Sequence, residues 1–340
     1  MRRSAVLLIM YIEGDEPYLL FTRRTDDMPL HSGQISFPGG SHRDHDGTLL
    51  QTALREAAEE VGIAPEHLMI GPRLDDEPTH SSGYVITPFV AIHEGRPQPR
   101  PDVREVAEVF AVPLAALAHP RTLRVEERVE PTVRRFVLHY DYGAYDIWGA
   151  TARIIQRFLA RYGKKWEQLF PHHWLHPEEP PRTEVVTCFL LRRGPRPQVL
   201  LVRRSGRVGT YQGRWAGVSG YAEGQPAQQC YRELEEEVGL GRGQVRLLCR
   251  GMPLPVDDAA TGRRWLVHPF LFAVARDTAP RLDWEHTEAR WVDLADVAAY
   301  ETVPGLAAAL AAVTKPALGI APGRRRRAGA GPCAAEGSVP

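Results

Sequence analysis

The sequence predicts a mixed α/β protein assembled from two similar halves, and three observations carry that expectation. A charged helical stretch, Arg55-Glu56-Ala57-Ala58-Glu59-Glu60-Val61-Gly62-Ile63, recurs as Arg232-Glu233-Leu234-Glu235-Glu236-Glu237-Val238-Gly239-Leu240. Each copy follows a strand-like apolar run, an Arg-Arg pair (Arg23-Arg24 and Arg203-Arg204) and a glycine turn. The chain has 340 residues, enough for two units that each bury a core.

Residues 6–12 and 18–22, rich in β-forming side chains and separated by a Gly14-Asp15 turn, read as a hairpin ending at Arg23-Arg24. Gln34-Ile35-Ser36-Phe37 is a short strand closing on Pro38-Gly39-Gly40, where glycine lets backbone approach a ligand. The loop 41–47 leads into an amphipathic helix whose apolar stripe is Leu50, Ala53, Leu54 and Ala57, and Gly62 ends it. A strand follows at 84–92, then an alternating stretch at 105–110. Ile147-Trp148-Gly149-Ala150-Thr151-Ala152 opens a helix reaching about Arg161.

Residues 163–182 shift to Pro, His, Trp and Glu and are expected to be a connector. His172, His173 and His176 lie there without a partner carboxylate or cysteine, so polar filler is preferred over a metal site. The second half restarts with strands at 185–191 and 198–202, then passes Gly213 to Gly220 into the second charged helix. Gly217-Val218-Ser219-Gly220 lacks the spacing of a serine-hydrolase elbow, which removes a nucleophilic serine. Strands near 245–248 and 267–274 and a helix from Pro304 to about Val313 complete this half. From Thr314 onward the Ala/Gly/Pro/Arg mixture predicts disorder, with Arg324 to Arg327 a solvated basic tail. The expected units are 1–162 and 183–314, with a tail at 315–340.

Hydrophobic and charged fractions of 43% and 25%, with zero formal net charge, fit a soluble globular chain without a global field for nucleic acid or membranes. Four cysteines without paired metal-type spacing fit a reducing cytoplasm better than a disulfide framework. The start, Met1-Arg2-Arg3 and an apolar run, mimics a signal peptide, but Glu13-Gly14-Asp15-Glu16 follows instead of a cleavage site, so a strand is expected. No apolar run reaches the length of a membrane helix.

On a helix, Glu56, Glu59 and Glu60 project from one face, as do Glu233, Glu236 and Glu237. A solvated face, with Arg55 and Glu59 as an i,i+4 pair, would account for one copy alone. Like charges this close destabilise a bare helix, so two copies point instead to a hard divalent cation that bridges carboxylates and substrate phosphates.

The whole pattern resembles the Nudix box, and the chain is similar to two Nudix domains in tandem. The resemblance implies two α/β/α sandwich domains, each around a mixed sheet, that hydrolyse diphosphates with Mg2+ or Mn2+. It implies metal ligation by Glu56, Glu59, Glu60, Glu233, Glu236 and Glu237, and a role for Arg55 and Arg232 in holding those glutamates. The general base is a box glutamate, Glu59 or Glu236, or a later one: Glu105 or Glu108, and Glu285 or Glu288. Phosphate contacts are expected from Arg23, Arg24, Gly39 and Gly40, and from Arg203, Arg204 and Gly220.

In the first half, Leu19-Leu20-Phe21-Thr22-Arg23-Arg24 and Gly33-Gln34-Ile35-Ser36-Phe37-Pro38-Gly39-Gly40 are similar to the coenzyme A pyrophosphatase branch. The loop with Asp44 and Asp46 and the Ile147 to Ala152 segment share that likeness, which implies cleavage of coenzyme A or its derivatives. Two positions depart from the pattern: Pro29 replaces an expected Arg, and Gly47, beside Asp46, replaces the glutamate of the general box. In the second half the loop from Gly220 is one residue short against the general box and Gln225 stands where glutamate is usual, leaving its substrate unassigned. The alternatives are a broad nucleoside-diphosphate-derivative hydrolase, and one catalytic domain joined to a ligand-sensing module.

Overall fold

A computed structural model describes residues 1–26, 33–79, 83–129, 134–175, 182–259 and 261–319. Pro29, His176 and Arg324 to Arg327 lie outside those residues, as do the side chains of His172 and His173.

The apolar start of the chain forms the strand Arg2–Glu13, paired antiparallel with Glu16–Arg24 and parallel with Tyr84–His93. Thr183–Arg192 repeats this, antiparallel to Gln198–Arg204 and parallel to Arg263–Val274. The repetition reaches single residues: Arg23 sits opposite Glu108, and Arg203 opposite Glu288, each next to a register shift.

Among the described residues, four helices of twelve or more residues pack on this framework. Helix α1 (Leu49–Val61) starts at Thr48, whose hydroxyl accepts from the Gln51 N–H, and stops at Gly62 in the left-handed conformation. Helix α2 spans Gly149–Tyr162. Helix α3 (Pro226–Val238) has Pro226 in its first turn and also stops at a left-handed glycine, Gly239. Helix α4 spans Leu306–Ala317. Alternation along the first strand divides its side chains: Ala5, Leu7 and Ile9 face α1, while Val6, Leu8 and Met10 face Ile154, Ile155 and Phe158 of α2. In the second half, Cys230, Leu234 and Val238 of α3 cover one face, and Leu306, Leu310 and Val313 of α4 cover the other.

Two sequence expectations need correction. Each half keeps an apolar cluster of its own on one face of its sheet, and the two share a third on the other face. Leu68–Arg73 and Arg246–Gly251 run parallel, Met69 opposite Arg250 and Ile70 opposite Gly251, making one 16-stranded sheet. Leu50 and Leu54 of α1 share a single apolar cluster with Leu310 and Val313 of α4, so α1 and α4 lie on one face, with α2 and α3 on the other. The two charged helices therefore sit on opposite faces of a common sheet. The second correction concerns the C-terminal helix, which runs past Thr314 to Ala317. Thr314 and Ala317 are buried there, and the Thr314 hydroxyl donates to Leu310 O at 2.8 Å. Apolar burial outweighs the unfavourable local composition.

Candidate active site

In the first half, α1 presents its glutamates to the strand Gly39–Ser41. Glu56 and Glu60 are buried and Glu59 is exposed. The Gly39 N–H donates to Glu60 Oε2 at 3.0 Å. Gly40 lies so close to Glu56 that a Cβ there would push the carboxylate out of its position.

Arg55 organises the cluster. Its Nε and Nη2 donate to the two Asp46 carboxylate oxygens at 2.7 and 3.1 Å, and Nη2 also reaches Ser41 O at 3.2 Å. Its Nη1 bridges Glu56 at 2.8 Å and Glu59 at 2.9 Å. Burial alone would raise the Asp46 pKa. Arg55, the Arg43 N–H and the Thr52 hydroxyl outweigh it and hold the carboxyl well below its usual range.

A cleft of about 390 Å³ joins Glu56, Glu59 and Glu60 to Glu105, with Arg43, Asp102 and Arg104 on its walls. Burial pushes Glu60 up to about 7; the Gly39 N–H opposes this, Glu56 adds to it, and Arg24 lowers it. Burial raises Glu56 too, against the pull of Arg55. Arg24 has a buried Nε without a hydrogen-bond partner. Arg23 turns elsewhere, pairing with Glu108 at 3.5 Å, and Glu108 accepts the Tyr145 hydroxyl at 2.6 Å. Of the two later-loop candidates for the base, only Glu105 lines the cleft.

The second half repeats the backbone of this site and not its clamp. Glu233 and Glu237 are buried and Glu236 is exposed. The Ser219 N–H donates to Glu237 Oε2 at 3.4 Å, and Gly220 abuts Glu233 as Gly40 abuts Glu56. Arg232, however, is exposed, and among the described residues it hydrogen-bonds only Glu223 O, at 3.4 Å. Gln229 Nε2 contacts Glu233 Oε1 at 2.5 Å instead. Fourteen residues separate Gly40 from Arg55, against eleven between Gly220 and Arg232. The longer loop holds the single turn Asp44–Asp46 that delivers Asp46.

Glu285 occupies the place of Glu105: its carbonyl accepts the Ser205 N–H at 2.7 Å, as Glu105 O accepts the Thr25 N–H at 3.1 Å. Burial, then Glu233 and Glu285, push Glu237 well above the usual carboxylate range, and burial with Asp283 raises Glu285. His286, buried where the first half has Val106, lies 3.6 Å from Glu237 Oε2 and 3.3 Å from Asp283 Oδ1. Arg203 and Arg204 are held by loop carbonyls, their Nε atoms donating to Gly213 O and Thr210 O at 3.1 and 2.9 Å. Glu288 pairs with Arg290 and Arg203, outside the glutamate cluster.

Among the described residues no three acidic, histidine or cysteine side chains converge tightly enough to hold an ion as they stand. In the first cluster the Arg55 guanidinium bridges Glu56 and Glu59. The donor set nevertheless fits a hard divalent cation: the candidate ligand atoms are all oxygens, on two carboxyls raised chiefly by burial and a third that is exposed.

A model of the NUDIX domain matches residues 1–136 and again 181–313. The chain belongs to the Nudix family. Nudix hydrolases generally use divalent metal ions. A protein named uncharacterized Nudix hydrolase NudL, from Pectobacterium atrosepticum, is 37% identical over 160 residues, which span 46% of this chain and 81% of that relative. Its namesake from Cronobacter sakazakii is 37% identical over 168 residues, spanning 48% and 85%. Among solved structures, the Nudix hydrolase RenU of M. Smegmatis is 22% identical, covering 42% of this chain and 91% of its own, at a TM-score of 0.33. The NUDIX domain of Shewanella oneidensis NrtR, complexed with ADP ribose, is 18% identical, covering 43% and 90%, at 0.30.

The sequence singles out the glutamates that each box helix presents, but not the partnership of Asp46 with Arg55, nor the presence of Gln229, Asp283 and His286 near the second set. Aligning the two halves strand by strand would have exposed His286, because a titratable side chain replaces Val106 at one repeat position. No helix among the described residues is long and apolar enough to cross a membrane.

Proposed function

We propose that the first half, residues 1–162, hydrolyses the diphosphate of coenzyme A or a derivative, in the cytoplasm, with Mg2+ or Mn2+ held by Glu56, Glu59 and Glu60. The observation that carries the reading is the cleft in which these three glutamates meet Glu105 beneath the Arg55–Asp46 clamp. A bound divalent ion supplies charge neutralisation for the diphosphate oxygens. In this reading Glu105, on the cleft wall, accepts the proton of the attacking water, and Arg24, whose charge acts on Glu60, contacts a phosphate oxygen. Gly39 and Gly40 let the backbone approach, while Arg23, expected as a second phosphate contact, is engaged by Glu108. The coenzyme A choice itself rests on the resemblance carried by residues 19–24 and 33–40.

The second half, residues 183–314, has Glu233, Glu236 and Glu237 with Glu285 as base candidate, and its substrate stays a nucleotide or nucleotide-sugar diphosphate. Loss of the arginine clamp favours a second reading for this half, a module that binds such a ligand and no longer cleaves it. Because the halves share a core, the test uses the whole chain. Coenzyme A, ADP-ribose, a dinucleoside polyphosphate and an NDP-sugar are assayed side by side with Mg2+ and with Mn2+. Fastest turnover of coenzyme A, abolished by Glu60→Gln, is expected; turnover of all the others and not coenzyme A overturns the substrate choice.

A further inference from the structure

Beside the junction of Leu68–Arg73 and Arg246–Gly251, a cavity of about 450 Å³ opens between the halves. Glu66, His67 and Glu94 line it from the first half; the first turn of α3, Tyr231, Arg242 and Arg250 line it from the second. None of the six box glutamates lines it. On α3, Tyr231 occupies the flank away from Glu233 and Glu237, which face Gly220 and Ser219.

The Arg250 side chain is only 5% exposed, and its Nε is buried without a hydrogen-bond partner. Its polar contacts among the described residues are long, 3.5 Å to Glu66 O and 3.5 Å to a Glu94 carboxylate that is itself 59% exposed, and its guanidinium lies over the Phe270 ring, 5.7 Å from the centroid. Burial pulls the guanidinium below its usual pKa, and Glu94 only partly offsets that. A purely structural latch at this position would gain more from an apolar side chain than from a buried cation with an unused donor. A second observation points the same way. The N-terminus of α3 ends on the cavity, and its cap residue, Gln225, makes no side-chain capping bond. Pro226 has no N–H and the Gln228 N–H donates to Gln225 O at 3.0 Å, which leaves the Ala227 N–H and the helix dipole to attract an anion there. Arg242 stacks on the Tyr231 ring at 4.0 Å and brings a further positive charge to the wall. Glu66 and Glu94 oppose an anion, but Glu94 is displaceable toward solvent, and Glu66 meets Arg250 through its carbonyl.

We propose that this cavity binds a dianionic phosphoryl group, free or in a small phosphate ester, on Arg250, Arg242 and the start of α3, so that one ligand bridges the two halves. The site goes beyond the hydrolytic reading and does not depend on it. The full-length protein is titrated calorimetrically with inorganic phosphate and, separately, with AMP in EDTA, where the two metal-free carboxylate clusters repel anions. Saturable binding is expected, weakened about tenfold or more by R250M and by R242A, the scale of losing a charged hydrogen bond. Equal affinity for the two probes assigns free phosphate, and tighter AMP binding assigns an ester. Arg242 is exposed, so R242A reports even if R250M does not fold. Absence of saturable binding by either probe, or binding unchanged in R242A and in folded R250M, overturns the proposal.

Discussion

The two box helices carry the same glutamates and end on the same left-handed glycine, yet they hold their carboxylates differently. In the first copy one guanidinium ties Asp46, Glu56 and Glu59 together. In the second, the matching Arg232 is exposed, and Gln229 and His286 stand near Glu233 and Glu237 instead. The arginine, the three glutamates and the closing Val-Gly pair are the same in both copies, while the loop before the helix differs in length. A conserved-looking motif thus fixes which groups are present, while the loop length decides whether an arginine can organise them.

The largest expected contrast is catalytic. Glu105→Gln should lower turnover of the preferred substrate by roughly 10²- to 10⁴-fold, the usual weight of a positioned base, with little change in KM. The same change at Glu285 should leave that turnover intact. Steady-state kinetics on both variants decides, and an equal loss at Glu285 would merge the two clusters into one functional unit.

Next in size is the clamp. Asp46→Asn leaves Arg55 half-paired at a position where the Asp46 side chain is only 1% exposed. Breaking a buried ion pair costs about 3 kcal/mol or more, so denaturant unfolding should show a loss on that scale. A loss below about 0.5 kcal/mol, the level of an ordinary surface change, would mean that the clamp does not hold the first site together.

The strands, both box helices and the glutamate faces were legible in the sequence because hydrophobic periodicity and capping glycines are local signals. The shared core was not. Nothing near residue 70 announces a strand partner near residue 251, and the apolar surface of α4 reads equally well as cover for one half or for both. The three-stranded sheet formed by Leu123–Val129, Arg134–Tyr142 and Tyr145–Trp148 escaped notice because charged residues interrupt its strands. At the site, Glu105 and Glu108 were indistinguishable by spacing. Only the register opposite Arg23 turns Glu108 away from the cleft.

A third test uses pH on metal-free protein. Glu60 has its pKa raised from 4.5 to about 7, so the native state binds more protons than the unfolded state in that interval. Its contribution is therefore fully present below pH 4.5 and is lost as pH rises through about 7. In EDTA, stability should fall across that window by on the order of 3 kcal/mol, and Glu60→Gln should remove most of the slope. Urea melts at several pH values measure it. A Gln variant with an unchanged slope would place the titration elsewhere, with Glu237 the obvious alternative because it too is raised by burial.

The smallest effect is the most discriminating for the comparison itself. Arg232 is exposed and makes one long hydrogen bond among the described residues, so Arg232→Ala should change stability by no more than about 0.5 kcal/mol. The first-copy counterpart, Arg55→Ala, removes bonds to Asp46, Glu56 and Glu59 and leaves a buried aspartate without its cation. Equal losses in the two alanine variants would mean that the short loop after Gly220 can still bring Arg232 onto its glutamates. The second cluster would then be an unassembled form of the first, and the case for a binding module in the second half would go with it.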